Sequence, residues 1–84
     1  MEKPNKKPRK LIYDEEGLTL LASKLKEVRM KKGCTQEELS YNSGLTLSQI
    51  ARIETMKINP TVSTMFRIAR TLKINVADLF DFKL

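Results

Sequence analysis

Histidine and tryptophan are missing from this 84-residue chain, and cysteine occurs once, at Cys34. Without histidine there is no imidazole general base, no Ser-His-Asp triad and no zinc site built on imidazole. A lone cysteine closes no internal disulfide and builds no cysteine-rich metal site, so no metal ion is expected. The three glycines are scattered and form no phosphate-cradling loop. No apolar run approaches the roughly 20 residues of a membrane-spanning helix. The N-terminus lacks the apolar stretch and small-residue cleavage site of a secretory signal. Glu37 and Glu38 are neighbours, but adjacent residues on a helix point in different directions, so they read as an acidic first turn rather than a catalytic pair. These absences argue against an enzyme and against a cofactor, and they point to the cytoplasm.

What the chain does have is unevenly placed charge. Its net charge is +6, and the first ten residues carry Lys3, Lys6, Lys7, Arg9 and Lys10 against Glu2 alone, a balance of +4. The remainder is nearly neutral, with 11 basic and 9 acidic residues. Such an arm suits a polyanionic partner, because each neutralised phosphate releases counterions. A solvated, disordered tail would have the same composition. Residues 1–17 are expected to form a flexible basic arm, and residues 18–84 one domain with a short C-terminal tail.

From residue 19 onward the chain repeats one local grammar. Leu11, Ile12 and Tyr13 form a short apolar patch, and Asp14–Gly17 reads as a turn. A first helix is expected over about Thr19–Lys32, with Leu21, Leu25 and Val28 on one face and Gly33 as the left-handed stop. Thr35 then caps a second helix, Glu38 can return the hydrogen bond, and Cys34 can pack on Leu39. Thr46, Gln49, Leu45 and Ile50 repeat the device for a third helix. A fourth starts at Thr61 after Pro60, with Val62, Met65, Phe66, Ile68, Ala69 and Leu72 as its apolar positions. A fifth opens at Asn75, with Asp78 three residues on and Ile74 facing Leu79. The expected class is therefore all-α.

Helices two and three are joined by Ser43-Gly44-Leu45, and a turn of that length sets a helix pair at a steep angle. Leu39, Leu45, Ile50 and Ile53 would bind the pair together, with small Ser40 allowing close approach. Leu47, Ser48, Ala51, Arg52 and Thr55 would then face outward, as on a helix that enters a major groove. An ordinary helical hairpin fits the same pattern.

The stretch Leu21–Phe80 resembles the lambda-repressor/Cro type of helix-turn-helix, the XRE family. The residues that carry the resemblance are LKEVRMKKGCTQEEL, SGLTLSQIARIE and NPTVSTMFRIARTLKINVADLF. It implies a compact five-helix domain whose helices two and three form the helix-turn-helix, and a transcriptional regulator that binds double-stranded DNA. Carried over by position, Gln36 would bind a phosphate at the start of helix two, although it also serves simply as a good first-turn residue. Ser48 and Arg52 would face base edges, with Arg52 able to bind guanine bidentately or, alternatively, to contact phosphate or form a surface ion pair. Thr55, Lys57 and Asn59 would follow the phosphate backbone. The resemblance also implies that Arg29 and Glu54 pair with each other, bracing helix one against the reading helix, so that Arg29 is structural.

Three positions depart from the family's pattern. Leu47, where a polar residue is common, would meet a thymine methyl or tuck under the Leu45–Ile50 contact. Met56 takes the place of a common glycine, which strains the turn after helix three. Ser43 replaces an apolar residue and is expected to loosen the turn before the reading helix.

Phe80, Phe82 and Leu84 alternate with a strand-like period, and with Leu11–Tyr13 they suggest a homodimer seam or a cap on the monomer's own core. A twofold dimer would read half-sites about 34 Å apart on a pseudo-palindromic operator. The competing reading is a helical protein-interaction module, such as an antitoxin or adaptor, whose main ligand is a protein partner.

Overall fold

In the computed structural model, which describes residues 12–84, helix formation starts earlier than expected. Asp14 caps α1 (Glu15–Lys31): its carboxylate accepts from the Gly17 N–H at 2.8 Å and its carbonyl from the Leu18 N–H at 2.9 Å. The supposed turn at Asp14–Gly17 is the cap and first turn of the helix, with Glu15 and Glu16 at the positive end of its dipole. An aspartate binding an N–H three residues on looks alike in a turn and at an N-cap, and only the continuation distinguishes them. The basic decapeptide and Leu11 lie outside the described residues.

Two capping boxes follow as expected. Thr35 accepts from the Glu38 N–H at 3.0 Å while Glu38 accepts from the Thr35 N–H at 2.9 Å, which starts α2 (Gln36–Ser43). Thr46 and Gln49 make the same pair of bonds at 3.0 and 2.9 Å to start α3 (Leu47–Glu54). Thr61 caps α4 (Val62–Leu72) by accepting from the Thr64 N–H.

The expected fifth α-helix is a 3-10 segment, Val76–Phe80. The Asp78 N–H donates to the Asn75 carbonyl at 2.9 Å, so the group that the Asn75 side chain would have capped is already taken, and Asn75 makes no side-chain cap bond. Over only five residues, i→i+3 bonds close turns that a short α-helix would leave open. The alternating tail is not a strand either. The Phe82 N–H donates to the Phe80 carbonyl at 2.9 Å, turning Phe82 onto the core while Phe80 and Leu84 stay exposed.

The core forms where four helices and the 3-10 segment converge. Leu21 and Leu25 from α1, Leu39 from α2, Ile50 and Ile53 from α3, and Met65, Ile68, Ala69 and Leu72 from α4 close around Leu79. The α4 residues recur at helical spacing and face inward. Val62 and Phe66, expected in the same core, lie four residues apart along one edge of that buried face and are exposed. Among the described residues no helix is long and apolar enough to cross a membrane.

Candidate nucleic-acid interface

The geometry of the reading head begins at the turn between α2 and α3. Gly44 adopts φ 78° and its N–H donates to the Ser40 carbonyl at 3.0 Å, ending α2 in the left-handed region that glycine occupies without strain. Ser43, expected to loosen this turn, instead ties it. Its buried hydroxyl accepts from the Leu45 N–H at 3.1 Å, and its carbonyl accepts from Arg67 Nη1 of α4 at 3.0 Å. The Ser40 hydroxyl adds a 2.7 Å bond to the Leu45 carbonyl. Hydrogen bonds serve here in place of apolar packing, two of them tying Leu45 to α2 and one tying the turn to α4.

The far end of α3 is braced by charge. Arg29 donates through Nε to Glu54 Oε2 at 2.7 Å and through Nη2 to Oε1 at 3.0 Å, the two-pronged geometry expected of this pair. Its remaining prong, Nη1, donates to the Cys34 carbonyl at 2.7 Å. The Glu54 side chain is only 2% exposed, so its charge depends on these partners. The hydrogen bonds to Glu54 raise the Arg29 pKa above its ordinary value. Arg29 thus joins α1, the α1–α2 turn and α3, as the structural reading requires. Nearby, burial pushes the Cys34 thiol up.

Gln36 joins the same network, donating from Nε2 to Glu54 Oε1 at 2.9 Å. Its amide carries two N–H donors, of which this bond uses one. This bond places the N-terminus of α2 against the C-terminal end of α3, not beside its start.

On α3 the inward residues Ile50 and Ile53 are buried, and Leu47, Ser48, Arg52 and Thr55 are exposed on the other side. Ser48, Arg52 and Thr55 follow helical spacing and form one stripe. Leu47 is 42% exposed, so it is not tucked beneath the Leu45–Ile50 contact. Arg52 takes part in none of the ion pairs among the described residues, which join Arg29 to Glu54 and both Lys24 and Lys31 to Glu27. The Thr55 hydroxyl donates to the Ala51 carbonyl at 2.8 Å.

Beyond the helix, Met56 sits at φ 63°, the left-handed conformation anticipated from its glycine-like position. The Met56 N–H donates to the Ile53 carbonyl and the Lys57 N–H to the Arg52 carbonyl, together closing α3. Lys57 is exposed at this corner. Asn59 is also exposed, but it borders an apolar groove of about 370 Å³ with Ile12, Leu18, Pro60, Phe82 and Leu84. Ile12 and the C-terminal residues Phe80, Phe82 and Leu84 therefore meet at one groove. Sequence reasoning gives Arg67 no role and reads Tyr13 only as part of an apolar patch, yet the bonds of both reach the interface from distant positions. No group of side chains able to hold a metal ion gathers among the described residues.

Comparisons with known proteins agree with this geometry. The helix-turn-helix (HTH_3) family matches residues 25–79. An HTH-type transcriptional regulator of Archaeoglobus fulgidus is 36% identical over 62 residues, covering 74% of this chain and 89% of that protein. Among solved structures, the restriction-modification controller protein C.AhdI of Aeromonas hydrophila superposes with a TM-score of 0.73 at 32% identity, covering 75% of this chain and 96% of that one. The restriction-modification controller C.Esp1396I gives 0.74 at 29% identity, with coverage of 81% and 88%.

Proposed function

The chain belongs to the helix-turn-helix (HTH_3) family, and from that membership we propose that it is a transcriptional regulator that reads double-stranded DNA through α3. The observation that carries the reading is the two-sided character of α3. One side is fixed in the core by Ile50 and Ile53, and the other presents Leu47, Ser48, Arg52 and Thr55 to solvent. Arg52 is the base reader of choice, since a guanidinium can bind guanine O6 and N7 together. Ser48 contacts a neighbouring base edge and Leu47 a thymine methyl. Gln36 offers its second amide N–H to a phosphate, and Thr55, Lys57 and Asn59 follow the backbone. The basic residues of the first ten add attraction to phosphate without reading sequence.

The functional unit is a homodimer. An eight-residue helix is about 12 Å long and spans only a few base pairs. A twofold pair reads half-sites about 34 Å apart on a pseudo-palindromic operator. The apolar groove lined by Ile12, Phe80, Phe82 and Leu84 is the surface that supports such a seam. Similarity to restriction-modification controllers supports control of an operon by concentration and dimerisation.

Selection of bound sequences from a random DNA pool, followed by titration at two salt concentrations, tests this. Arg52→Ala is expected to cost about 1–3 kcal/mol and relax preference at one operator position. Lys57→Ala is expected to weaken all sequences alike and to make the salt dependence shallower by about one. Absence of binding at low salt would overturn the reading. It would favour a module whose main ligand is a protein, which the apolar groove also suits.

A further inference from the structure

Tyr13 lies one residue ahead of the cap of α1, is half exposed, and contributes nothing to the core. Its hydroxyl nevertheless donates to the Met56 carbonyl at 2.8 Å, across 43 positions of sequence. The peptide that follows this carbonyl is planar, and its N–H belongs to Lys57. That N–H donates to the Arg52 carbonyl at 2.7 Å. A single peptide plane is therefore pinned at both edges, by Tyr13 on one side and by α3 on the other.

The pinning matters because Met56 occupies a backbone region that a methionine adopts only under strain. Rotation of the Met56–Lys57 peptide, about ψ of Met56 and φ of Lys57, would break its bond to the Arg52 carbonyl and carry Lys57 away from α3. The Thr19 hydroxyl lies 2.9 Å from the Met56 sulfur, but its single proton is directed to the better acceptor, the Glu15 carbonyl at 2.8 Å.

We propose that Tyr13 is a positioning residue for DNA binding, holding the Met56–Lys57 peptide so that Lys57 meets a phosphate while Arg52 meets a base. This rests on the reading of α3 and Lys57 given above. The tether sets the register between a backbone contact and a base contact, which otherwise compete for the protein's placement on the duplex.

Tyr13→Phe keeps the ring and removes only the hydroxyl. With the selected operator, affinity is expected to fall about three- to tenfold, the range of one hydrogen bond. The salt dependence should become shallower by nearly one, as for Lys57→Ala. The double variant should bind no more weakly than Lys57→Ala alone. In the free protein, amide exchange at Lys57 should accelerate while core amides such as those of Leu25 and Ile68 keep their protection, a result independent of DNA. If Lys57→Ala weakens binding and Tyr13→Phe does not, the proposal is overturned and the DNA reading stands. The proposal also falls if the two effects add in full, or if exchange at Lys57 is unchanged. If Lys57→Ala itself binds like the wild type, the assignment of Lys57 falls with it.

Discussion

Helices α1 and α3 end in the same hydrogen-bonded motif, yet one closes on Gly33 and the other on Met56. After α1, the Gly33 and Cys34 N–H groups donate to the Met30 and Arg29 carbonyls; after α3, those of Met56 and Lys57 donate to Ile53 and Arg52. Both pivots are left-handed, at φ 66° and 63°. Glycine accepts that conformation without a Cβ clash, whereas for other residues it costs about 1–2 kcal/mol. The glycine end is a local solution at its pivot, where Gly33 is exposed and accepts the conformation by itself. The methionine end is held from outside, by Tyr13 on its carbonyl and by the packing of Thr19 on its sulfur. Where the local residue is poorly suited to its backbone, distant contacts supply the order, and here they do so beside the proposed DNA contacts.

The largest break in this arrangement is expected from Arg29→Ala, because one side chain serves both ends. It donates to the Cys34 carbonyl after α1 and to Glu54 at the close of α3. Its loss leaves the Glu54 carboxylate buried with only Gln36, and a cost of about 3–5 kcal/mol is expected in chemical denaturation. If DNA binding weakened while the melting temperature held, Arg29 would be acting at DNA instead of in the fold.

A reciprocal exchange sharpens the comparison with smaller effects. A Cβ at Gly33 would touch nothing within 4 Å, so Gly33→Ala isolates the backbone penalty, about 1 kcal/mol. Met56→Gly removes that penalty but loosens the unfolded chain, and a change within about 0.5 kcal/mol is expected, toward greater stability. Thermal melts of the two variants should therefore move in opposite directions. Destabilisation by Met56→Gly comparable to that of Gly33→Ala would show that the Met56 side chain contributes more than its strain costs.

The smallest effect concerns the starts of helices, where α2 and α3 use the same capping box with different third residues. The backbone N–H of Thr35, followed by its side chain, holds the Glu38 carboxyl below its ordinary value. The folded protein thus binds this proton less readily than the unfolded chain. The stabilisation is present above the ordinary carboxylate pKa and is lost as pH falls through the lowered one. Gln49 makes the corresponding bond in α3 and does not titrate in this range. Melting temperatures between pH 7 and about pH 3 should show a slightly shallower acid decline for Glu38→Gln and a steeper one for Gln49→Glu.

The boxes at Thr35 and Thr46 were readable in the sequence because each is closed by residues three apart, so spacing alone supplies the geometry. The Arg29–Glu54 brace spans 25 positions and was accessible only through family resemblance. Asn75 and Asp78 show where local grammar stops: the same spacing folded as 3-10, because the backbone carbonyl took the N–H that the side chain would have capped. Val62 and Phe66 border the buried face of α4, so periodicity includes them in the core, and only the packing of the neighbouring elements shows that they stay exposed. The Ser43–Arg67 bond joins positions 24 apart and carries no periodic signal.

By itself the sequence determined the helical class, the caps, the glycine stops and the outward stripe Leu47, Ser48, Arg52 and Thr55, because all of these arise from interactions a few residues long. Only the tertiary structure decided how Gln36 shares Glu54 with Arg29, how Ser43 fastens the turn to α4, and how Tyr13 holds Met56. Those bonds require two distant segments to be brought within about 3 Å, and packing of the common core around Leu25, Leu39, Ile50, Ile68 and Leu79 is what brings them there.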